Sequence, residues 1–314
     1  MKARIPAPAP LFEEALTPAS LPKGRPEGRP SLNGLRGERG SGASGRPSPQ
    51  PLSPGERGQT KSPRTPSPSG RRWPEGPDEG GSDEGLGALD WPAIERDLDA
   101  YGCAIAPKLI SRETCRELAA LYPDDARFRS RIVMGAHGFG RGEYKYFADP
   151  LPAPIVALRR GFYSRLAPIA DRWNEAMGVS VRYPAEHEAF LARCHEAGQK
   201  RPTPLLLRYG PGDYNCLHQD VYGEHLFPLQ LAILLSEPSH DFTGGEFVLT
   251  EQRPRMQSRA EVAPLTQGDG VIFAVRERPV QGTRGTYRVN LRHGVSRIRS
   301  GERFTLGVIF HDAT

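Results

Sequence analysis

The chain has 314 residues and a formal net charge of +5, and its first 85 residues hold 16 Pro and 14 Gly but only two aromatic residues, Phe12 and Trp73. That composition buries too little apolar surface to offset the entropy of ordering, so residues 1–85 are expected to form a disordered tail. Charge divides as 13 basic against 10 acidic residues in the tail and 29 against 27 in the remainder, an excess too small to mark a nucleic-acid binder by itself.

No apolar run approaches the ~18 residues of a membrane-spanning helix, and Pro6, Pro8 and Pro10 occupy the place where a signal peptide needs its apolar stretch. Neither a membrane location nor standard secretion is expected. Cys103, Cys115, Cys194 and Cys216 stand far apart and form no CxxC, which argues against a zinc knuckle or a disulfide framework and suits a reducing, cytoplasmic setting. The tail repeats short Pro, Arg, Ser and Gly words without a period; it reads as a solubilising leader or as a basic arm for nucleic acid or another partner.

At Asp90-Trp91-Pro92 a capping residue and an early proline open a helix with Ile94, Leu98 and Tyr101 on one side. A short apolar strand follows at 103–106, and Ser111 caps a second helix carrying Cys115, Leu118, Ala119 and Tyr122. Residues 155–177 give a long helix with the stripe Ile155, Leu158, Phe162, Leu166 and Ile169. From Pro204 onward, short β-branched and apolar runs at 205–209, 229–235, 246–250, 270–275, 286–293 and 304–310 are punctuated by Gly, Pro and Asp. The expected organisation is α+β: a mainly helical part over 86–203 feeding an all-β part over 204–314.

His218-Gln219-Asp220 sets an imidazole and a carboxylate at i and i+2, on one side of an extended chain. His293 follows 75 residues later on another expected strand. Two His and one carboxylate on one face are the donor set of non-haem Fe(II) oxygenases, which leaves coordination positions for a co-substrate and oxygen. An anionic keto acid then needs a cation at its far end. Arg303, ten residues after His293, either supplies a planar fork for that carboxylate, with Thr305 on the same strand face, or points outward as an ordinary strand residue. His225 and His311 are alternative third ligands, but His225 follows Asp220 too closely and His311 has no Arg after it. Gly244-Gly245 reads as a tight turn or bulge, because no helix follows to cradle a phosphate.

Residues 205–312 resemble the 2-oxoglutarate- and Fe(II)-dependent dioxygenase superfamily, and its prolyl-hydroxylase-like branch most. The resemblance rests on Arg208-Tyr209-Gly210-Pro211-Gly212-Asp213-Tyr214 before His218-Gln219-Asp220, on Thr243-Gly244-Gly245-Glu246-Phe247, and on His293 with a basic residue ten positions on. The words PGDYNCLHQD, DFTGGEFVLTEQRPRMQSRAEV and RHGVSRIRSGERFTLGVIFHDA resemble a bacterial family of these oxygenases labelled, by inference, for oxidative repair of damaged nucleic acid. The similarity reaches back through residues 137–147, so it covers about 88–312.

That resemblance implies a double-stranded β-helix, a jelly-roll barrel with iron at its mouth. It implies His218, Asp220 and His293 as iron ligands and Arg303 as partner of the 2-oxoglutarate C5 carboxylate. Tyr209 is implied as a donor to 2-oxoglutarate. Where the branch often supplies a second tyrosine hydroxyl this chain has apolar residues such as Leu234, and Gln230 is the substitute donor. The implied reaction consumes O2 and 2-oxoglutarate, releases succinate and CO2, and hydroxylates an unactivated C–H bond. A non-catalytic jelly-roll binding module and a Zn or Mn hydrolase are the rivals; the intact triad with Arg303 opposes the first, and the lack of an evident general base opposes the second.

Two features bear on substrate. Residues 137–147, with Gly138, Gly140 and Gly142 among Tyr144, Tyr146, Arg141 and Lys145, form either a substrate lid or an ordered loop packing the helical part on the barrel. Eight Arg lie between 276 and 303, either around the mouth or on outer strand faces. Weak, salt-sensitive nucleic-acid binding helped by the tail is expected, with demethylation placed after hydroxylation of a protein or small molecule.

Overall fold

The computed structural model describes residues 85–221 and 223–314. The expected disordered tail, apart from Gly85, lies outside the described residues. Helix α1 (Trp91–Tyr101) begins where the Asp90 side chain accepts from the Ala93 amide at 3.0 Å, and buries Ile94 and Leu98. It ends at Gly102, whose φ of 77° is left-handed and where a Cβ would meet Leu291 Cδ2 at 2.4 Å, so backbone conformation and space both demand glycine. Strand β1 (Cys103–Ala106) follows, then α2 (Arg112–Ala120), opened by Ser111 accepting from the Thr114 amide.

The next segment departs from the helical expectation. Strands β2 (Phe128–Val133), β3 (Gly140–Arg141) and β4 (Glu143–Phe147) precede α3 (Ala153–Ala176) and α4 (His187–Glu196). β2 pairs with β4 in the register Phe128↔Phe147 and Ser130↔Tyr146, leaving Arg129 as the extra residue of a bulge. β3 and β4 find partners in strands that come tens of residues later, so that pairing is tertiary and local alternation carries little of it. α3 keeps its expected stripe, and Trp173 Nε1 donates to Asp99 Oδ1 at 2.7 Å, tying α3 to α1.

The remaining strands are β5 (Leu205–Tyr209), β6 (Tyr214–His218), β7 (Leu229–Leu234), β8 (Phe242–Gly244), β9 (Phe247–Gln252), β10 (Ser258–Ala263), β11 (Gly270–Ala274), β12 (Glu277–Gly282), β13 (Gly285–Val295), β14 (Ile298–Gly301) and β15 (Arg303–Val308). One antiparallel sheet runs β1-β11-β7-β15-β5-β4-β2; a second runs β10-β9-β13-β6-β3, with β12 also on β13; β14 and β8 form a short pair. This is the jelly-roll architecture, with strands from distant parts of the sequence adjacent in each sheet.

The two sheets meet different surroundings. β7 and β11 are buried at every position, because side chains of α1–α4 share their core on one face while the barrel interior covers the other. β6 and β10 are largely exposed, because the outer face of the second sheet meets water. A buried cation joins the layers. Arg278, 2% exposed, pairs with Glu251 and donates to the Asp99 and Ala100 carbonyls at 2.6 and 2.8 Å, satisfying the last turn of α1. Among the described residues no helix is long and apolar enough to cross a membrane.

Candidate metal centre and active-site cavity

The turn before β6 is built by Asp213, whose carboxylate accepts from the Gly210 amide at 2.8 Å while its own amide donates to the Gly210 carbonyl at 3.0 Å. β6 then pairs with β13 in the register His293↔His218 and Val295↔Asn215, with a bulge between. At that bulge a Cβ on Gly294 would meet the Asn215 carbonyl oxygen at 2.7 Å, so the two ligand-bearing strands approach closely because residue 294 has no side chain.

The structure brings His218, Asp220 and His293 together, with one ligand atom from each within 4.8 Å of the others. His218 Nε2 lies 3.3 Å from Asp220 Oδ1, and His293 Nε2 lies 3.4 Å from Asp220 Oδ2. With its Nδ1–H assigned as donor to the Cys216 carbonyl at 2.7 Å, His218 directs Nε2 into the cluster. His293 packs on Phe273, ring centroids 4.5 Å apart, and on Phe247 at 6.1 Å. Among the described residues this is the one such group of three potential ligands. His225 and His311 lie outside it; His311 is buried and accepts from the Phe227 amide through Nδ1.

The electrostatics suit a cation. Burial alone would raise the Asp220 carboxyl, but hydrogen bonds from His218 and His293 hold it well below the usual carboxylate range. Burial opposes protonation of both imidazoles; at His293 it prevails and lowers the pKa, while at His218 Asp220 turns the net shift upward. A carboxylate held ionised between two converging imidazole nitrogens is a donor set that a divalent iron-like metal satisfies.

Gln219, the residue between the two ligands, is a spacer in the sequence motif. Its side-chain amide donates to the Leu291 carbonyl at 2.7 Å, clamping the segment after β6 onto β13. Only an extended geometry at the HxD would have pointed to this, since Gln219 must face away from His218 and Asp220.

The triad opens into a cavity of about 240 Å³, which all the expected co-substrate residues line. Arg303, 1% exposed, begins β15 opposite Tyr209 and donates through Nη1 to Thr305 Oγ1. Its guanidinium carbon lies 5.8 Å from the centroids of both the Tyr209 and Phe242 rings. Burial lowers its pKa to about 10, and among the described residues no carboxylate stands within ion-pair distance. Arg303 Nε is buried without a partner, and so is the Tyr209 hydroxyl, which stands near Asn215 without a well-formed hydrogen bond. A buried cation with idle donors around it is costly unless an anion completes the site.

Gln230 also has an unpartnered buried amide nitrogen, but its place differs from the expected one. β15 pairs Thr305 with Leu207 and Leu234, and Gly307 with Leu205 and Ala232. Gln230 is two residues beyond Ala232, opposite Phe273, whose ring touches His293. It therefore stands at the metal end of the cavity, and the apolar Leu234 is the β7 residue near Arg303.

Residues 137–147 form a wall of the site. β3 is bonded to β6 and β4 to β5, and Phe139, Tyr144 and Tyr146 line the cavity. The eight Arg of 276–303 do not share one place. Arg278 and Arg303 are buried in separate networks, and Arg276 and Arg288 lie 4.0 and 3.6 Å from Glu277. Arg292 borders a polar groove on the outer face of the second sheet. Gly244 and Gly245 both have left-handed φ, 73° and 69°, and form the tight turn expected of them.

Comparison with known proteins adds the family. The uncharacterized protein Rv2227 of Mycobacterium tuberculosis is 49% identical over 179 residues, which are 57% of this chain and 77% of that protein. A Pseudomonas putida prolyl-4-hydroxylase structure aligns with 69% of this chain and 96% of its own at 15% identity and a TM-score of 0.41. A 2OG-Fe(II) oxygenase-family oxidoreductase from Burkholderia pseudomallei aligns with 72% and 94% at 15% identity and a TM-score of 0.42. Residues 142–313, more than half of the sequence and all of the cavity's ligand-bearing strands, match the family described as "Oxygenase, catalysing oxidative methylation of damaged DNA", and the chain belongs to this family of oxygenases.

Proposed function

We propose that the protein is an Fe(II)- and 2-oxoglutarate-dependent dioxygenase that hydroxylates a C–H bond, most directly on a methylated nucleic-acid base. The observation that carries this reading is the pairing, in one cavity, of the His218–Asp220–His293 donor set with a buried Arg303 that has no carboxylate within ion-pair distance among the described residues. His218 Nε2, His293 Nε2 and an Asp220 oxygen would hold the iron. Arg303, Thr305 and the Tyr209 hydroxyl would bind the C5 carboxylate of 2-oxoglutarate, and the Gln230 amide would donate at the metal end. Bound iron supplies the coupling of O2 reduction and keto-acid decarboxylation to insertion of one oxygen atom into C–H. The chain's own part is to orient both substrates and to exclude water, which Phe247, Phe273, Leu205 and Ile309 do by lining the cavity with apolar surface.

On substrate, the family description and the aromatic wall of Phe139, Tyr144 and Tyr146 support a planar base over the protein or small-molecule substrate that the sequence alone puts first. Hydroxylation of an N-methyl group gives a hemiaminal that loses formaldehyde, which separates the two products chemically. The test is anaerobic titration of iron-free protein with Fe(II) and 2-oxoglutarate. A weak visible charge-transfer band is expected, followed on admission of O2 by succinate and, with a methylated oligonucleotide, formaldehyde. No band at saturating co-substrate would refute the oxygenase chemistry and leave a binding module or hydrolase. Succinate coupled to a peptide or small molecule, without formaldehyde from any oligonucleotide, would refute the substrate.

A further inference from the structure

Arg129 is the extra residue of the β2–β4 bulge, and the bulge turns it across the strand onto the ring of Tyr146, with the guanidinium carbon 4.4 Å from the ring centroid. Tyr146 lines the active-site cavity. Arg129 Nε donates to the Pro202 carbonyl at 2.9 Å, which fixes the plane of the fork. Its two terminal nitrogens make no hydrogen bond among the described residues. Arg201, one residue before that carbonyl, is exposed, and its backbone is held by reciprocal 2.9 Å hydrogen bonds with Ala313. Arg201 is close enough to disfavour the charge on Arg129, adding to the larger effect of burial.

Neither arginine has a carboxylate partner among the described residues. Asp312, the acidic group that acts on Arg129, is engaged by Arg159 and His195, both at 2.9 Å. Arg129 is bonded to the carbonyl of the residue that follows the exposed Arg201, so a single anion can meet both cations, and bulges that re-aim a side chain gather near active sites. The position is also informative. Tyr146 pairs with Leu205, which pairs with Gly307, so Arg129 on the Tyr146 ring stands toward the end of the cavity remote from Arg303.

We propose that Arg129 and Arg201 form a phosphate-binding subsite at the cavity mouth, which anchors a nucleotide phosphate of the substrate while its base lies against Tyr146 and Tyr144. Two guanidinium groups offer the donors and charge that a phosphate oxygen pair takes, and an aromatic ring beside them offers the stacking face. This rests on the nucleic-acid reading for the identity of the ligand, whereas the phosphate subsite itself needs neither iron nor oxidation.

The test uses the full iron-free chain and a short 1-methyladenine oligonucleotide, compared with the same sequence carrying an uncharged methylphosphonate backbone. The wild type is expected to bind the phosphodiester at least tenfold more tightly at low salt. R129Q/R201Q should erase that preference and lower the slope of log affinity against log salt by about 0.7 for each phosphate the variant no longer neutralises. R201E, at an exposed side chain that can change without disturbing the fold, should act in the same direction and guards against misfolding of the double variant. Adenosine 5′-monophosphate against adenosine distinguishes a mononucleotide from a polynucleotide as the source of the phosphate. Equal binding of charged and uncharged backbones by the wild type, or a preference retained in both variants, overturns the subsite. A phosphate preference that depends on both arginines, without formaldehyde release, upholds the subsite while refuting the demethylation reading.

Discussion

Replacing Arg303 with Met should make the protein more stable when iron and keto acid are removed, and blind to 2-oxoglutarate. Burial lowers the Arg303 pKa from 12.5 to about 10, and at about 1.4 kcal/mol per unit this corresponds to about 3 kcal/mol of disfavoured charge. The Thr305 hydrogen bond and the Tyr209 and Phe242 ring faces are already included in the folded protein's favour, and their loss offsets part of the gain. Methionine fills similar volume with no charge, so a net gain of about 2 kcal/mol is expected. For a domain of this size it raises the melting temperature by about 4–8 °C. The assay is thermal unfolding with and without 2-oxoglutarate: at 100 times its dissociation constant the ligand should stabilise the wild type by about 2.7 kcal/mol and leave R303M unmoved. A variant that is less stable than wild type and still shifts with 2-oxoglutarate would refute the reasoning, because Arg303 would then be a structural residue.

Asp220→Ala should leave the circular dichroism spectrum intact while iron retained after gel filtration falls from about one equivalent to a small fraction, because two imidazoles alone hold the metal weakly; full retention would remove Asp220 from the donor set. Arg278→Ala should cost about 3 kcal/mol in denaturant unfolding, since it leaves Glu251 buried and two carbonyls of α1 unpaired, whereas a loss under about 1 kcal/mol would show that Arg253 and Arg259 compensate. His187 and His311 are both lowered to about 4, by burial first and then by Arg159. The unfolded chain takes up these protons near pH 6.5 while the folded chain does not, so stability is full above that pH and declines as pH falls toward about 4, by as much as about 3 kcal/mol for each group. Denaturant midpoints measured across that window that stay flat would contradict it.

The chemistry was more legible than the topology. HxD, the later His and the Arg ten residues on stood out because the metal and carboxylate chemistry proposed for them restricts residue type and spacing at once, and the structure gathers all four around one cavity. Strands such as 205–209 and 229–234 were visible because they are mostly buried and mostly apolar, with Arg208 and Gln230 as the polar interruptions. β4 and β6 were hidden because each has an exposed or polar face and a partner far away in sequence, and β2 because its partner β4 lay in a stretch that reads as a loop; β6, the strand that ends at His218, is exposed at most positions. Gln230 shows the limit of same-face reasoning. Its alternation with Leu234 correctly put both on one side of β7, but the pattern says nothing of how far along the barrel each lies, and four residues of strand separate the two ends of a small ligand.

The cavity is shared between a sheet clad by helices and a sheet with one side in water. Arg303, Thr305, Tyr209 and Gln230 belong to the clad sheet, while His218 and His293 belong to the bare one. Local opening follows the layer with less to lose. On the proposed assignment, fraying of β6 would admit or release metal while the pocket around Arg303 keeps its shape, and exchange of the β6 amides should slow when metal binds. Lesions in the two sheets should sort into separate phenotypes: damage to the bare sheet is expected to yield a folded protein starved of iron, and damage to the apolar core positions of the clad sheet, such as those of β7 and β11, a protein that does not accumulate.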